Sequence, residues 1–161
     1  MTAAKGLETY LNDHLAGSVV GSELANKLSA EYADTPYGPF LTELAHEIEQ
    51  DKATLEGLME RLGIHRSPIK QAAGWITEKA TRLKLSEMMT GDQDLKRLLE
   101  FETLSLGIEG KLSMWRTLIE VSGSRTELAA IDLPRLAKRA EVQRATLEDH
   151  RLRVARAALI L

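Results

Sequence analysis

The feature that most constrains the fold of this chain is an apolar ladder with 3-4 spacing that recurs in four separate segments. Residues three or four apart share one face of an α-helix, so each segment predicts a helix with one apolar face. The alternation of apolar and polar residues that is typical of strands is not found. With 161 residues and 43% hydrophobic content, the chain has the size of one domain. We predict an all-α, antiparallel four-helix bundle that spans residues 1–161 as a single domain.

Turn and cap signals predict where the long helices begin and end. Gly63 is placed to end the second helix, because glycine readily adopts the left-handed conformation of a helix C-cap. The predicted limits are the turn at 34–39 for the end of the first helix, about Pro36 to Leu62 for the second, Asp92 to Ser122 for the third, and Asp132 almost to Leu161 for the fourth.

A shorter helix is predicted in the connection between the second and third long helices. It spans 67–84, with Ser67 as the N-cap and Pro68 at the first helical position, where its missing N–H is harmless. Its apolar face is narrow, so we expect it to lie against the bundle or at an interface.

Polar side chains interrupt each ladder near the middle. They are His14 and Ser18 in the first helix, Asp51 in the second, Ser105 in the third, and Gln143 and His150 in the fourth. We predict that they form a polar layer in the core, with His14 hydrogen-bonded to Asp51 or to a backbone carbonyl. A buried polar layer can fix helix register even when its net contribution to stability is small.

Two of the predicted long helices each contain a pair of closely spaced glycines, Gly17 and Gly21 in the first and Gly107 and Gly110 in the third. Each costs about 1 kcal/mol relative to alanine, so some gain should offset it. One explanation is close backbone approach between helices. The other is a cleft that accepts an elongated apolar ligand, or an aromatic side chain such as Trp115 from a partner.

Composition excludes several classes of function. The chain has no cysteine, so disulfides and thiolate metal sites are not available. No stretch approaches the ~20 apolar residues that span a bilayer, and the N-terminal residues lack the apolar core of an export signal. No glycine-rich phosphate loop is present. We expect a soluble, cytoplasmic protein that does not bind a membrane.

The charge is distributed unevenly along the chain. Residues 1–62 carry 4 basic and 11 acidic side chains, a net charge of −7, whereas residues 63–161 carry 17 basic and 13 acidic ones, a net charge of +4. This asymmetry favours electrostatic pairing between halves or protomers over nucleic-acid binding. We therefore expect a homo-oligomer, with any other protein partner unknown.

The order of the predicted elements resembles that of the ferritin-like superfamily of four-helix bundles. Both have two long antiparallel helices, a long connection that here carries its own helix, and two more long helices. Three segments, 10–17, 35–39 and 106–115, also resemble a family of uncharacterised bacterial proteins. The likeness to that family implies no activity.

The ferritin-like resemblance implies a specific test for a di-metal site. Di-iron members place a glutamate on each of two helices and a Glu-x-x-His motif on each of the other two. Glu43 and His46 match that motif on the second helix. On the fourth helix Arg144 and Arg151 occupy the histidine position, and arginine cannot coordinate a cation. We therefore predict no complete di-metal site and no cofactor.

A non-standard site for iron, manganese or zinc remains the alternative. One candidate ligand set is His14, Asp51 and His150, and a poorer one is Glu43, His46, Glu102 and Glu109. The first set requires both interhelix turns to lie at the same end of the bundle. A connection that crosses the full length of the bundle would move His150 many ångströms from His14.

The sequence predicts no catalytic residue. We interpret the chain as a non-catalytic binding or structural protein. The alternatives are a metal-binding protein or oxidase with a His/Asp site, and a carrier of a small apolar ligand.

Overall fold

The structure, a computed structural model, describes residues 3–67 and 91–160. Within these ranges it has no strand, and four long α-helices account for most residues. They are α1 (Ala3–Glu31), α2 (Gly38–Arg61), α3 (Gln93–Val121) and α4 (Leu133–Leu159). Two short 3-10 helices, Ser122–Ser124 and Thr126–Ala130, connect α3 to α4. The all-α prediction is confirmed.

The predicted helix limits agree with the structure to within a few residues because local signals set them. Asp92 caps α3, its carboxylate accepting hydrogen bonds from the backbone N–H groups of Asp94 and Leu95 at 3.0 and 3.1 Å. Asp132 caps α4 in the same way. Gly63 ends α2 with a φ of 64°, a left-handed conformation that favours glycine. The helix predicted over 67–84 lies, beyond its first residue, outside the described residues.

The turn between α1 and α2 requires a glycine at position 38. A Cβ atom at Gly38 would lie 2.3 Å from the backbone oxygen of Ala33, closer than any side chain tolerates. The turn thus folds tightly enough to bring α2 back along α1.

Side-chain contacts give the directions of the four helices. Tyr32, just after the end of α1, hydrogen-bonds Glu100 near the start of α3, so these two helices are antiparallel. Phe40 near the start of α2 stacks on His150 far along α4, and Asp51 further along α2 pairs with Arg139 near the start of α4. Helices α1 and α4 therefore run one way, and α2 and α3 run the other way.

This arrangement has one consequence for the connection between α2 and α3. Because α2 and α3 are parallel, the chain from 62 to 92 joins opposite ends of the bundle. The two short turns, 32–37 and 122–132, also lie at opposite ends. Because the turns lie at opposite ends, His150 lies at a different height along the bundle from His14 and Asp51.

The core is apolar along most of the predicted stripes, and its largest fully buried side chains are Trp115 and Phe101. Several residues of the predicted ladders are less buried than expected. Leu7 in α1 and Leu62 after α2 are half-buried, as are the polar residues His14, Ser18 and His150, and three ladder positions in α3 and α4 also differ. Ser105 and Ile119 are half-buried, and the preceding residues Leu104 and Leu118 are buried in their place. Ala157 is exposed. A helix with 3.6 residues per turn drifts away from a strict alternation of 3 and 4, which explains the shift by one position.

In the described ranges, no helix has both the length and the apolar character needed to cross a membrane.

Candidate functional site

A cavity of about 260 Å³ lies between α1, α2 and α3. Most of its wall is apolar. It is lined by the glycine pairs of α1 and α3, Gly17, Gly21, Gly107 and Gly110, and by the side chains of Leu24, Ile48, Leu104, Ile108 and Trp115. Asp13 also lines it and is exposed, so this part of the wall reaches the protein surface.

The glycines widen the cavity. A Cβ atom built on Gly21, Gly107 or Gly110 would meet nothing within 4 Å beyond the adjacent backbone of its own helix. Close backbone approach is therefore the wrong explanation at these three positions. The alternative, a cleft between the helices, matches the geometry, and Trp115 of the chain itself forms part of its wall.

His14 and Ser18 lie on the α1 side of the cavity and are half-buried. The Ser18 hydroxyl donates a hydrogen bond to the Leu15 carbonyl at 2.8 Å. Burial lowers the pKa of His14 below its ordinary value, and the nearby Asp13 carboxylate partly opposes this shift. The ring of His14 packs edge-on against Tyr10, with centroids 4.6 Å apart.

Asp51 is the centre of a buried network of charged and amide side chains. It is only 2% exposed and pairs with Arg139 and with Lys111, whose Nζ lies 2.6 Å from Asp51 Oδ2. Lys111 also donates to Gln143 Oε1 at 2.5 Å, and Gln143 donates to Glu47 at 2.8 Å. We call these five residues the Asp51 network. Two of its members, Asp51 and Lys111, line the cavity.

The network corrects the predicted polar layer. Asp51 and Gln143 are buried, as predicted. No hydrogen bond joins Asp51 to His14, because Asp51 is instead bonded to the two cations. Sequence reasoning missed Lys111 and Arg139 because both start from the flanks of their ladders and reach inward along apolar stems. Burial lowers the pKa of Lys111, and the Asp51 carboxylate opposes that shift.

His150 lies away from the Asp51 network, at the start of α2. Its ring stacks on Phe40 with centroids 4.2 Å apart and meets Tyr37 edge-on at 5.8 Å. Phe40 precedes Asp51 by eleven positions on α2, which corresponds to roughly 16 Å along the helix. The structure therefore does not bring His14, Asp51 and His150 together. Desolvation lowers the pKa of His150, and Arg153 adds to this effect.

The second candidate ligand set is also dispersed. Glu43 and His46 are exposed, and the His46 ring contacts the Gln50 amide at 2.9 Å. Glu102 accepts a hydrogen bond from Arg151 at 3.1 Å, and Glu109 accepts one from Arg144 at 2.5 Å. Within residues 3–67 and 91–160, no three histidine, aspartate or glutamate side chains are placed to hold a metal ion.

Sequence reasoning also missed a second buried acid, Glu100. It is 0% exposed and accepts a hydrogen bond from the Tyr32 hydroxyl at 2.6 Å, while Lys96 and Lys27 lie 3.8 and 3.9 Å from its other oxygen. Desolvation raises the pKa of Glu100 and also that of Tyr32. The sequence contains one signal for the burial of Glu100. Glu100 lies four residues before Leu104, so the two side chains share one face of the helix.

Comparisons of the chain with protein-family models, with curated proteins and with solved structures gave no match. The function is therefore argued from the geometry of the cavity and of the charges beside it.

Proposed function

We propose that this protein is a non-catalytic binding protein that holds a small, mostly apolar molecule in the cavity between α1, α2 and α3. The observation that carries the proposal is the cavity of about 260 Å³ with its largely apolar wall. An apolar cavity of about 150 Å³ in another protein is large enough for benzene. The present cavity has room for a bicyclic hydrocarbon or a short branched chain.

The energetic cost of the cavity supports a binding role. An apolar wall that no side chain covers lowers stability, because its surface stays in contact with water and lacks packing partners. Glycine inside a helix costs a further ~1 kcal/mol relative to alanine. Alanine at Gly21, Gly107 or Gly110 would meet no steric obstacle, yet the chain has glycine at each position. A bound molecule that fills the space offsets both costs.

We also propose that the bundle is ferritin-like in arrangement. The support is the connection between the parallel helices α2 and α3, since ferritin-like bundles have one long crossover of this kind. Whether a short helix belongs to that connection is part of the same proposal. A cytoplasmic location is the proposal that the cysteine-free sequence supports.

Homo-oligomer formation is a further proposal. Its support is the charge asymmetry of the sequence and a set of large apolar side chains that are exposed on or next to α4. They are Val142, Leu152, Leu159 and Ile160. Sedimentation of the purified protein tests this proposal, which a monomer at high concentration would contradict.

Calorimetric titration with indane, a bicyclic hydrocarbon, tests the binding function. We expect saturable binding to the wild-type protein and at least a tenfold weaker affinity in Gly107→Leu, because the new side chain fills the cavity. Gly57→Leu is the matched control, since Gly57 is also helical, has equally free space around its Cβ position and does not line the cavity. It should bind indane as the wild type does.

Two results would contradict the proposal. One is the absence of indane binding to the wild-type protein, and the other is equal binding by wild type and Gly107→Leu. Mass spectrometry of an organic extract from natively purified protein gives an independent check. We expect a co-purifying apolar molecule, and its loss in Gly107→Leu but not in Gly57→Leu.

A further inference from the structure

Helix α1 lines the part of the cavity that reaches the protein surface. Asp13, Gly17 and Gly21 follow one another at four-residue spacing, so they lie on one face of that helix, with Asp13 one turn before the glycine pair. Asp13 is exposed, so its side chain stays in contact with water at the edge of the cavity. A molecule whose apolar body lies against the glycines can therefore place a polar group beside Asp13 and keep that group partly hydrated.

The charges that line the cavity do not cancel. In the described part of the chain they belong to Asp13, Asp51, Lys52 and Lys111. Lys111 Nζ lies 2.6 Å from Asp51, and Lys52 Nζ lies 2.7 Å from Glu49, whereas no described residue forms an ion pair with Asp13. The uncompensated charge at the wall is therefore negative. A cation gains a counter-ion there, and an anion would meet a like charge.

Two hydroxyl groups of the wall can act only as acceptors toward a ligand. Ser18 and Thr103 both line the cavity, and they donate their protons to the backbone carbonyls of Leu15 and Leu99, each at 2.8 Å. A hydroxyl group has a single proton, so only its lone pairs remain. These side chains can accept a hydrogen bond from a ligand, but they cannot donate one without breaking their own.

His14 provides a further acceptor, next to Asp13. It lines the cavity and is half-buried, and neither of its ring nitrogens is closed off from solvent. Within residues 3–67 and 91–160, nothing hydrogen-bonds that ring. Burial lowers the pKa of His14, which keeps the ring neutral near pH 7 and leaves one nitrogen with a lone pair. An ammonium group has three N–H donors and no acceptor, so it complements both His14 and Asp13.

We propose that the occupant of the cavity is a cationic amine with an apolar body, whose ammonium group pairs with the Asp13 carboxylate and donates a hydrogen bond to His14. The apolar body lies against the glycines of α1 and α3. The proposal rests on the binding function proposed above and names the chemical class of the ligand. Residues 1–62, which supply two of the three walls, carry a net charge of −7, and this charge favours the approach of a cation.

Titration calorimetry near pH 7 with three probes that share one bicyclic skeleton tests the proposal. The probes are 2-aminoindane, which is cationic, indane, which is neutral, and indane-2-carboxylate, which is anionic. We expect 2-aminoindane to bind at least about fivefold more tightly than indane, the ratio that one net hydrogen bond supplies. Indane-2-carboxylate should bind most weakly. Added salt should reduce the preference for the amine, because the ion pair with Asp13 is exposed.

The variant Asp13→Asn removes the charge and keeps the size of the side chain. The preference for 2-aminoindane over indane should fall to below about twofold, since the ion pair is lost. Glu23→Gln is the matched control, because Glu23 is an exposed acid on the same helix that does not line the cavity. It removes the same charge and should keep the preference. An equal loss in both variants would reduce the effect to a general attraction between an acidic protein and a cation, and would overturn the assigned ion pair.

The variant Asp13→Lys gives a readout of the opposite sign. With a cation at this edge of the cavity, indane-2-carboxylate should bind more tightly than 2-aminoindane. Because Asp13 is exposed, the Asp13 variants should fold normally, and their thermal unfolding checks this. An unchanged order of the three probes in folded Asp13→Lys would overturn the role of Asp13.

The outcomes separate this proposal from the binding function. Equal affinity of the wild type for indane and 2-aminoindane, or tighter binding of the carboxylate, would overturn the assigned ligand class and leave the binding function standing. Failure of all three probes to bind would overturn both.

Discussion

The interior between α2 and α4 and the interior between α1 and α3 are built in opposite ways. Between α2 and α4, long side chains meet at successive levels, with Arg139 on Asp51, Gln143 on Glu47 and His150 on Phe40. Between α1 and α3, glycines leave a cavity, and a buried hydrogen bond joins the two helices near one end, from Tyr32 to Glu100. The same apolar ladder thus gives either a filled or a hollow interface, depending on the residues beside it.

The largest expected effect is on the filled side of the bundle. Asp51→Asn removes the negative charge that Lys111 and Arg139 share, and both cations remain near each other and partly buried. Loss of one partner from a buried ion pair typically costs about 3 to 5 kcal/mol. We expect the free energy of unfolding, measured with urea, to fall by at least about 3 kcal/mol.

An exposed ion pair provides the control for that measurement. Glu109 and Arg144 contact each other, with side chains 44% and 51% exposed. Glu109→Gln should change stability by less than about 1 kcal/mol. If Asp51→Asn costs no more than Glu109→Gln, the filled interface does not depend on its charges.

On the hollow side, the same substitution that blocks binding should stabilise the unliganded protein. Gly57→Leu gains only the helix propensity of leucine over glycine, somewhat under 1 kcal/mol. Gly107→Leu gains that amount and also places apolar atoms in the cavity, which should add about 1 kcal/mol. Thermal unfolding of both variants measures the difference. If Gly107→Leu proves the less stable of the two, the space beside Gly107 is already occupied.

Glu100 lies near one end of the interface between α1 and α3, where burial should make its charge unfavourable. Desolvation raises the pKa of Glu100, so the folded protein holds this proton more tightly than the unfolded chain does. Stability should therefore decrease as the pH rises from the ordinary pKa of glutamate through the raised value. Glu100→Gln cannot ionise, and its unfolding free energy should lack that decrease.

The control for Glu100→Gln is Glu120→Gln, because Glu120 is exposed on the same helix. Urea unfolding between pH 4 and pH 7 should show a flatter pH profile for the first variant alone. A steeper profile for Glu100→Gln would mean that Tyr32 and the nearby lysines favour the charged form.

The smallest expected effect concerns His14 at the cavity wall. Burial lowers the pKa of His14 in the folded protein, so the unfolded chain takes up its proton first as the pH falls. Above the ordinary histidine pKa, the neutral ring of His14 therefore contributes to the stability of the folded protein. This contribution is lost as the pH falls from that value to the lowered pKa of His14 in the folded protein. His14→Leu should fold normally and lose less stability than the wild type between pH 7 and pH 5.

His46→Leu is the comparison for His14→Leu, since His46 is exposed. It should leave the acid-induced loss of stability unchanged. Unfolding of His14→Leu at neutral pH would show that the polar contacts of His14 matter more than its burial.

Much of the fold was predictable because local chemistry sets it. Gly63, Asp92 and Asp132 end or begin helices through their own backbone or carboxylate geometry, and the ladders placed Asp51 and Gln143 inside. These features depend on residues that are close in sequence, so cap residues and the 3-4 spacing are enough to predict them.

The site was only partly predictable because it depends on which helices are neighbours. The crossing connection separated His150 from His14, and no spacing within one helix reveals that. Lys111 and Arg139 reach the core along side chains that start outside the ladders. The glycines were noticed in the sequence, but only the positions of α1 and α3 distinguish close packing from a cavity.

The most direct test of the binding function is a crystal structure of the protein soaked with 5-bromoindane, with the bromine located by anomalous scattering. Our account predicts one bromine in the space bounded by Gly21, Gly107 and Trp115. A bromine found only elsewhere, or side chains of the chain itself filling that space, would contradict it.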